Sequence, residues 1–210
     1  MNIPLNKKEL ISIMLALIVL AFSNSFTNLS LFLSSIIVFA VILLFYIGAK
    51  KFTAYYYEAE EETKIWTFQR YGLYERSRFK TPIPIGIILP FVLSILTFGY
   101  VKWFAVTESE VKPLPTRAVK RHDYYSFSEM TEFNLGVISA SGILACLALA
   151  ILAYLLNFPE LARAGVFFAA FNLLPLGKLD GAKIFFGSVV LWSSLAVLTL
   201  IFLLYALLLV

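Results

Sequence analysis

Histidine and cysteine are almost absent from this chain of 210 residues, which contains one residue of each. The single Cys146 excludes an internal disulfide and a cysteine-based metal cluster, and its apolar surroundings indicate a packing residue. The single His122 excludes any metal site built from two histidines of this chain. Its charged neighbours, Arg121 and Asp123, indicate a solvated loop residue.

Charged residues are also scarce, at 14% of the chain, compared with about 25% in soluble domains. Hydrophobic residues make up 60% of the chain, and the mean hydropathy is +0.86. These values predict a polytopic membrane protein, whose first partner is the lipid bilayer. The net charge of +4 resides in loops, without a basic tail or an aromatic–basic stripe, so we expect no nucleic-acid partner.

The first residues carry little that resembles a targeting signal. Lys7 and Lys8 precede an apolar run, but no cleavage site of small residues follows, so we expect no cleavable signal peptide. The positive-inside rule places these lysines and the loop 50–81 on the cytoplasmic side. We therefore expect an integral protein of a prokaryotic plasma membrane, with a cytoplasmic N-terminus.

Apolar segments predict an all-α polytopic fold in a single membrane domain, with five to six helical segments. They cover residues 8–26, 29–49, 82–106, 135–156, 161–176 and 189–210. Segment 82–106 contains Pro90, and it either crosses as a kinked helix or re-enters and returns to its own side. The polar loops are candidates for short strands, at 66–78 and 103–111. The glutamates within 58–62 are interpreted as a solvated face.

One polar stretch, residues 171–188, interrupts the apolar sequence. It contains Asn172, Pro175, Asp180 and Gly181. A carboxylate at the centre of a membrane span costs about 2.5–3.5 kcal/mol on insertion scales, and a broken helix leaves backbone groups without water. Asp180 therefore either lies at the membrane edge or serves a purpose inside it.

The order Asn-x-x-Pro followed by Leu-Asp-Gly in this stretch resembles the second signature of the site-2 protease family, a family of intramembrane zinc metalloproteases. The resemblance implies the transmembrane helix core of that family. It also implies that Asp180 corresponds to the third zinc ligand and that Asn172 contacts the backbone of a substrate. Asn172, Pro175 and Gly181 would then shape a cleft for a transmembrane peptide or a partner subunit.

The first signature of that family, His-Glu-x-x-His, is missing. The run 51–54 resembles the sequence that follows the motif in the family. This alignment places the two histidine ligands at Tyr46 and Lys50 and the general base at Ile47. An ammonium and an aliphatic side chain cannot perform those roles. We therefore expect no intact catalytic site, no cofactor, and only a vestigial third metal ligand at Asp180.

The role of Asp180 has two interpretations. Without the resemblance, it is an interfacial acid or N-cap that begins the last helix, with Lys183 as its i+3 partner. With the resemblance, it is a vestigial ligand that needs a counter-charge from Lys50, Lys178 or Lys183, and the alignment favours Lys50. If every segment spans the membrane, Lys50 and Asp180 lie roughly 30 Å apart. They lie on one side if 82–106 re-enters, and the geometry of the family favours that arrangement.

Three functions from different classes fit these features. The first is a catalytically inactive pseudoprotease that holds a transmembrane segment or a neighbouring membrane subunit. The second is an active intramembrane metalloprotease with a non-standard or partner-completed zinc site, built from Asp180 and glutamates within 58–62. The third is a structural or transport subunit that uses Lys50 or Asp180 as an intramembrane charge. We favour the first, because one aspartate supplies too few ligands for zinc.

Overall fold

A computed structural model describes residues 6–26, 29–70, 78–114 and 130–208, so His122 lies outside the described residues. The described helices are α1 (Lys7–Ser25), α2 (Phe32–Tyr56), α3 (Ile85–Leu96), α4 (Glu132–Leu155), α5 (Pro159–Asn172), α6 (Asp180–Gly187) and α7 (Val189–Leu208). A 3₁₀ turn, Leu29–Leu31, precedes α2. The described strands are β1 (Ala59–Ile65), β2 (Phe68–Arg70), β3 (Arg78–Ile83) and β4 (Thr107–Pro113).

Four of the described helices, α1, α2, α4 and α7, are long and apolar enough to cross a membrane. α2, for example, runs for 25 residues and carries no charge before Lys50. At 1.5 Å per residue it is about 37 Å long, more than the roughly 30 Å of a hydrocarbon core. The expectation of a mostly helical fold with several potential membrane spans is confirmed, whereas the site-2 protease core stays a prediction.

The helix predicted over 161–176 is shorter in the structure. α5 begins with Pro159, which fits the first helical turn because N–H groups there have no acceptor within the helix. α5 ends at Asn172, before Pro175, which cannot donate to continue the helix. Its 14 residues give a length of about 21 Å, less than a full membrane span requires.

α3 and the chain that follows it form a hairpin. α3 has 12 residues, about 18 Å, and a stretch without regular secondary structure then leads back to β4. Both ends of the hairpin meet at Trp66. Its N–H donates to the Val106 C=O at 2.9 Å, and its C=O accepts from the Gly86 N–H at 2.9 Å. Segment 82–106 therefore returns to its starting level, as the re-entrant alternative requires.

The described strands form two small antiparallel sheets. β1 pairs with β4, with Ala59 opposite Pro113 and Ile65 opposite Thr107, and β2 pairs with β3. The candidate strands at 66–78 and 103–111 thus each contain part of an observed strand. The polar loops therefore add a minor β component to the helical fold.

The N-terminal part of α1 is attached to β1 by a buried acid. The carboxylate of Glu9 accepts the Thr63 N–H at 3.2 Å and pairs with the Lys51 ammonium at 2.7 Å. Glu9 is only 1% exposed. A buried carboxylate needs such partners, because an unpaired one costs several kilocalories per mole. This contact orients the outer edge of β1 towards α1.

α4 lies at the centre of the helix packing, against α2, α5 and α6. Glycines on α4 allow close approach: Gly142 lies against the side chains of Tyr46 and Lys50, and Gly136 lies against the backbone of α6. Small residues have this effect because neighbouring helices can come nearer where no side chain intervenes. The packing of α4 thereby brings Lys50 of α2 close to the beginning of α6.

Gly86→Ala tests the closure of the hairpin. A Cβ at position 86 would lie 2.2 Å from the C=O oxygen of Val106, so the two ends of the hairpin would have to separate. We expect a loss of about 1–3 kcal/mol, as for other overpacked sites, measured as a lower Tm in detergent. Gly48→Ala on α2 is the matched control, since a Cβ there meets nothing within 4 Å. Equal Tm values for the two variants would contradict the close contact.

Candidate buried ion-pair site

A buried carboxylate, that of Asp180, is the centre of the candidate site. Asp180 is the first residue of α6, and it has no exposed surface. Side chains from α2, β1, β4, α4 and α6 form a polar network with it. They are Tyr46, Lys50, Glu61, Ser109, Ser139 and Lys183.

The Oδ2 atom of Asp180 faces α2. The Tyr46 hydroxyl donates a hydrogen bond to this oxygen, and the Lys50 ammonium lies 3.1 Å from it. Tyr46 and Lys50 are one helical turn apart, so they lie on the same face of α2. The Lys50 ammonium also lies 4.0 Å from the centroid of the Tyr46 ring, within the range of a cation–π interaction. The hypothesis that Lys50 supplies the counter-charge of Asp180 agrees with this contact.

The Oδ1 atom of Asp180 faces β4 and α4. The Ser109 hydroxyl donates to it at 2.6 Å, and the Ser139 hydroxyl donates at 3.3 Å. The Lys183 ammonium lies 3.3 Å from the same oxygen and also donates to the Ser109 C=O. The carboxylate therefore accepts from hydroxyl and ammonium groups on both oxygens, as a buried acceptor should. The predicted i+3 contact between Asp180 and Lys183 is confirmed.

A second carboxylate, that of Glu61, extends the network. Its Oε1 atom lies 3.5 Å from the Lys50 ammonium, and neither side chain is exposed. The Thr63 hydroxyl donates to the same oxygen at 2.9 Å. The interpretation of this region as a solvated face is wrong at Glu61. β1 alternates, and Ala59, Glu61 and Thr63 point inward. The small Ala59 and the β-branched Thr63, two residues either side of Glu61, were the sequence signal that could have revealed the burial of Glu61.

The N-cap interpretation of Asp180 is also wrong. The N-cap position of α6 belongs to Leu179, and no side chain caps the helix. A lost cap costs about 1 kcal/mol, whereas an uncompensated buried charge costs about 3–5 kcal/mol. The carboxylate of Asp180 therefore faces the ammonium groups of Lys50 and Lys183 instead of the helix end.

The three predicted cleft residues do not gather at one surface. Asn172 is fully buried, and its amide N–H donates at 2.9 Å to the Phe168 C=O of its own helix. Gly181 is buried, and a Cβ there would lie 2.1 Å from the Leu173 C=O oxygen, so no larger residue fits. Pro175 is exposed between α5 and α6. Asn172 and Gly181 thus have packing roles, and a role towards a substrate or partner stays a prediction.

The donor set around Asp180 does not fit a zinc ion. Zinc needs several electron-pair donors and, for catalysis, an open position. Here the ammonium of Lys50 and the hydroxyl of Tyr46 donate to the carboxylate themselves. Ile47, aligned with the general base, is 7% exposed and packs in the apolar core. Among the described residues, no three His, Cys, Asp or Glu side chains are grouped as a metal site.

No known protein family, curated protein or solved structure matches this chain. The suggested relation to site-2 proteases therefore rests on the sequence pattern and on the geometry around Asp180. The function has to be argued from the buried network and from the surfaces next to it.

A double-mutant cycle tests the pairing of Lys50 with Asp180. Lys50→Met leaves Asp180 and Glu61 without their shared cation, so we expect a loss of about 3–5 kcal/mol in the free energy of unfolding. Adding Asp180→Asn removes the uncompensated charge, and the double variant should lose less than the sum of the single variants by about 1 kcal/mol or more. Reversible unfolding in detergent, followed by tryptophan fluorescence, measures these values.

Lys112→Met is the control for loss of a lysine. Its side chain is 59% exposed, and its ammonium pairs with Glu110 at 3.5 Å. Because exposed ion pairs contribute little, this variant should lose no more than about 1 kcal/mol. Strictly additive losses for Lys50→Met and Asp180→Asn would show that the two side chains do not interact.

Proposed function

We propose that this protein is a pseudoprotease: an integral membrane protein with a site-2-protease-like scaffold that has no zinc chemistry and binds a membrane partner. The observation that carries the proposal is the convergence of Tyr46, Lys50 and Asp180. The resemblance assigns the first two positions to the missing zinc ligands and the third to the remaining one. Tyr46 and Lys50 precede Asp180 by 134 and 130 residues along the chain, and both contact its carboxylate.

Replacement of a zinc ion by an ammonium removes the hydrolytic chemistry. Lys50 places a fixed positive charge 3.1 Å from Asp180, which satisfies the carboxylate. An ammonium has no open coordination position, and it does not generate a hydroxide nucleophile as zinc does. Ile47 has no group that accepts a proton. A site of this composition stabilises the scaffold without activating water.

The outer edge of β4 is the proposed docking place for the partner. The Leu114 N–H donates to the Glu58 C=O at 2.9 Å, just beyond the paired strands. Because hydrogen-bonded pairs alternate along an antiparallel ladder, the even-numbered residues of β4 bond to β1. Thr107, Ser109 and Val111 therefore direct their backbone N–H and C=O groups away from β1.

This outer edge adjoins the buried network. Ser109 lies on it and donates its hydroxyl to Asp180 at 2.6 Å. Within the described part of the chain, β4 pairs with β1 alone. The outer edge of β1, in contrast, is occupied, since Glu9 accepts the N–H of Thr63 at 3.2 Å and Lys51 donates to the same strand at 3.1 Å. On the outer edge of β4, Thr107 and Ser109 are buried and the Ser109 C=O already accepts from Lys183, so a new strand has its opening at the half-buried Val111.

An extended segment of a transmembrane partner would add to β4 as a further strand. Substrates of the resembled family are thought to bind in this way, with main-chain hydrogen bonds supplying the affinity. The partner backbone would then pass Val111, two residues from the Ser109 that contacts Asp180, without being cleaved. Sequestration, chaperoning or assembly of that partner is the corresponding cellular role.

Restoring the missing motif tests the scaffold. Tyr46→His, Ile47→Glu and Lys50→His together rebuild His-Glu-x-x-His on the face of α2 that contacts Asp180. We expect stoichiometric zinc in the purified triple variant, measured by inductively coupled plasma mass spectrometry, because three ligands then converge. Adding Asp180→Ala should remove the zinc, and the wild-type protein should contain none.

A shifted motif is the matched control. Phe45→His, Tyr46→Glu and Ala49→His place the same pattern one residue earlier, which rotates it away from Asp180 by about 100°. Phe45 is 46% exposed, so this face points out of the bundle. Equal zinc uptake by both variants would contradict the proposed scaffold. Wild-type zinc that disappears in Asp180→Ala would overturn the assignment as a pseudoprotease.

Val111→Pro tests the docking edge. The substitution removes an N–H that points away from β1, and proline is tolerated on the outer side of an edge strand, so the β1–β4 pair should persist. The wild-type chain, purified from its native membranes, should carry a stoichiometric membrane protein. We expect the Val111→Pro variant to lose this protein. Val111→Thr keeps the N–H and the β-branched shape and should retain it. A partner held equally well by Val111→Pro would rule out docking at β4.

A further inference from the structure

A polar cavity lies at the end of the bundle away from Asp180. Its volume is about 330 Å³, and it lies between the end of α1, the beginning of α2 and the first half of α5. Its wall reaches α2 at Ser35, about 22 Å along the helix from Lys50. The polar wall includes Asn24, Ser34, Ser35, Lys102, Glu160 and Arg163.

Two cations face this cavity without a carboxylate partner in the part of the chain that the structure describes. The Lys102 ammonium donates to the Asn24 side-chain oxygen at 3.0 Å. Arg163 lies near enough for its charge to repel that of Lys102. Within the described chain neither cation forms an ion pair, even with Glu160 on the same wall. The cavity therefore concentrates positive charge that a bound anion would neutralise.

Ser35 adds a buried hydrogen-bond donor to the same wall. It is 3% exposed, and its oxygen accepts from the Asn24 amide at 2.9 Å. Its own O–H has no acceptor among the residues described here. Lys102, Arg163 and Ser35 together present two charged donors and one neutral donor. Phosphate oxygens accept this combination, and charge-assisted hydrogen bonds to them are the stronger kind.

The position of the cavity indicates the source of the phosphate. α1 has 19 residues and is about 28 Å long, so Asn24 lies near one membrane interface when Lys7 lies near the other. The cavity also has an apolar side, with Val38, Phe167 and the 46% exposed Leu31. We propose that it binds the phosphate of an anionic phospholipid, whose acyl chains continue along the apolar helices. This site is independent of partner docking at β4.

Native mass spectrometry of the detergent-purified full chain, titrated with phosphatidylglycerol, tests this site. Lys102→Gln with Arg163→Gln removes both cations and should weaken retention of the lipid about tenfold or more. Arg163→Gln alone should also weaken it. The arginine is exposed and donates no hydrogen bond within the described residues, so folding is unaffected. Lys80→Gln with Lys112→Gln removes the same charge from exposed positions of β3 and β4 and should leave retention unchanged.

Phosphatidylcholine and inorganic phosphate distinguish the sources of the anion. Phosphatidylcholine carries the same anionic phosphate in a headgroup without net charge. It should be retained more weakly than phosphatidylglycerol. Inorganic phosphate at equal concentration should fail to displace phosphatidylglycerol, because it lacks the acyl chains. Equal retention of phosphatidylglycerol by the double variant and the wild type would overturn the proposal. Equal retention of phosphatidylcholine, or displacement of the lipid by inorganic phosphate, would overturn it as well.

Discussion

The pairing of the buried Asp180 carboxylate is the interaction on which the rest of the structure depends. An uncompensated buried charge costs about 3–5 kcal/mol, a large part of the stability of a domain. Lys50 and Lys183 supply positive charge, and hydroxyls from Tyr46 and Ser109 fill further acceptor positions. These groups come from α2, β4 and α6. The three elements must therefore pack in positions that bring all of these donors to one carboxylate. The network thereby favours one arrangement of helices and sheet.

The hairpin of segment 82–106 sets the depth at which this pairing is possible. A full crossing there would place Asp180 roughly 30 Å from Lys50, on the other side of the membrane. The chain returns at Trp66 instead, and α4 begins at the same end of the helix bundle as the end of α2, where Ala54 and Ile138 pack in one cluster. α5 then leads back for 14 residues, about 21 Å. Its end at Asn172 leaves the start of α6 at the level of Lys50, where the Asp180 carboxylate is fully buried.

Sequence reasoning succeeds here where the physical signal is local. Apolar runs predict α2 and α4, because hydrophobic length alone determines a potential span, and a shared motif pattern predicts the contact of Lys50 with Asp180. Glu61, Ser109 and Ser139 escape such reasoning. A glutamate or serine in a polar loop or helix is not marked by any distinctive sequence pattern. Its role becomes visible only when packing places it next to a charged group. Only the alternation along β1 pointed to Glu61, and it was masked by neighbouring glutamates.

Stability alone does not account for the retention of this ion pair. Well-packed apolar residues in place of a buried pair are often neutral or stabilising by 1–4 kcal/mol. An apolar replacement of Lys50 and Asp180 would, however, remove the acceptor that holds the Ser109 hydroxyl at 2.6 Å. It would also free Lys183, which holds the Ser109 carbonyl on the outer edge of β4. The pair therefore fixes the position of Ser109 on the outer edge of β4. That positional role is a reason to keep Asp180 that is separate from any contribution of the ion pair to stability.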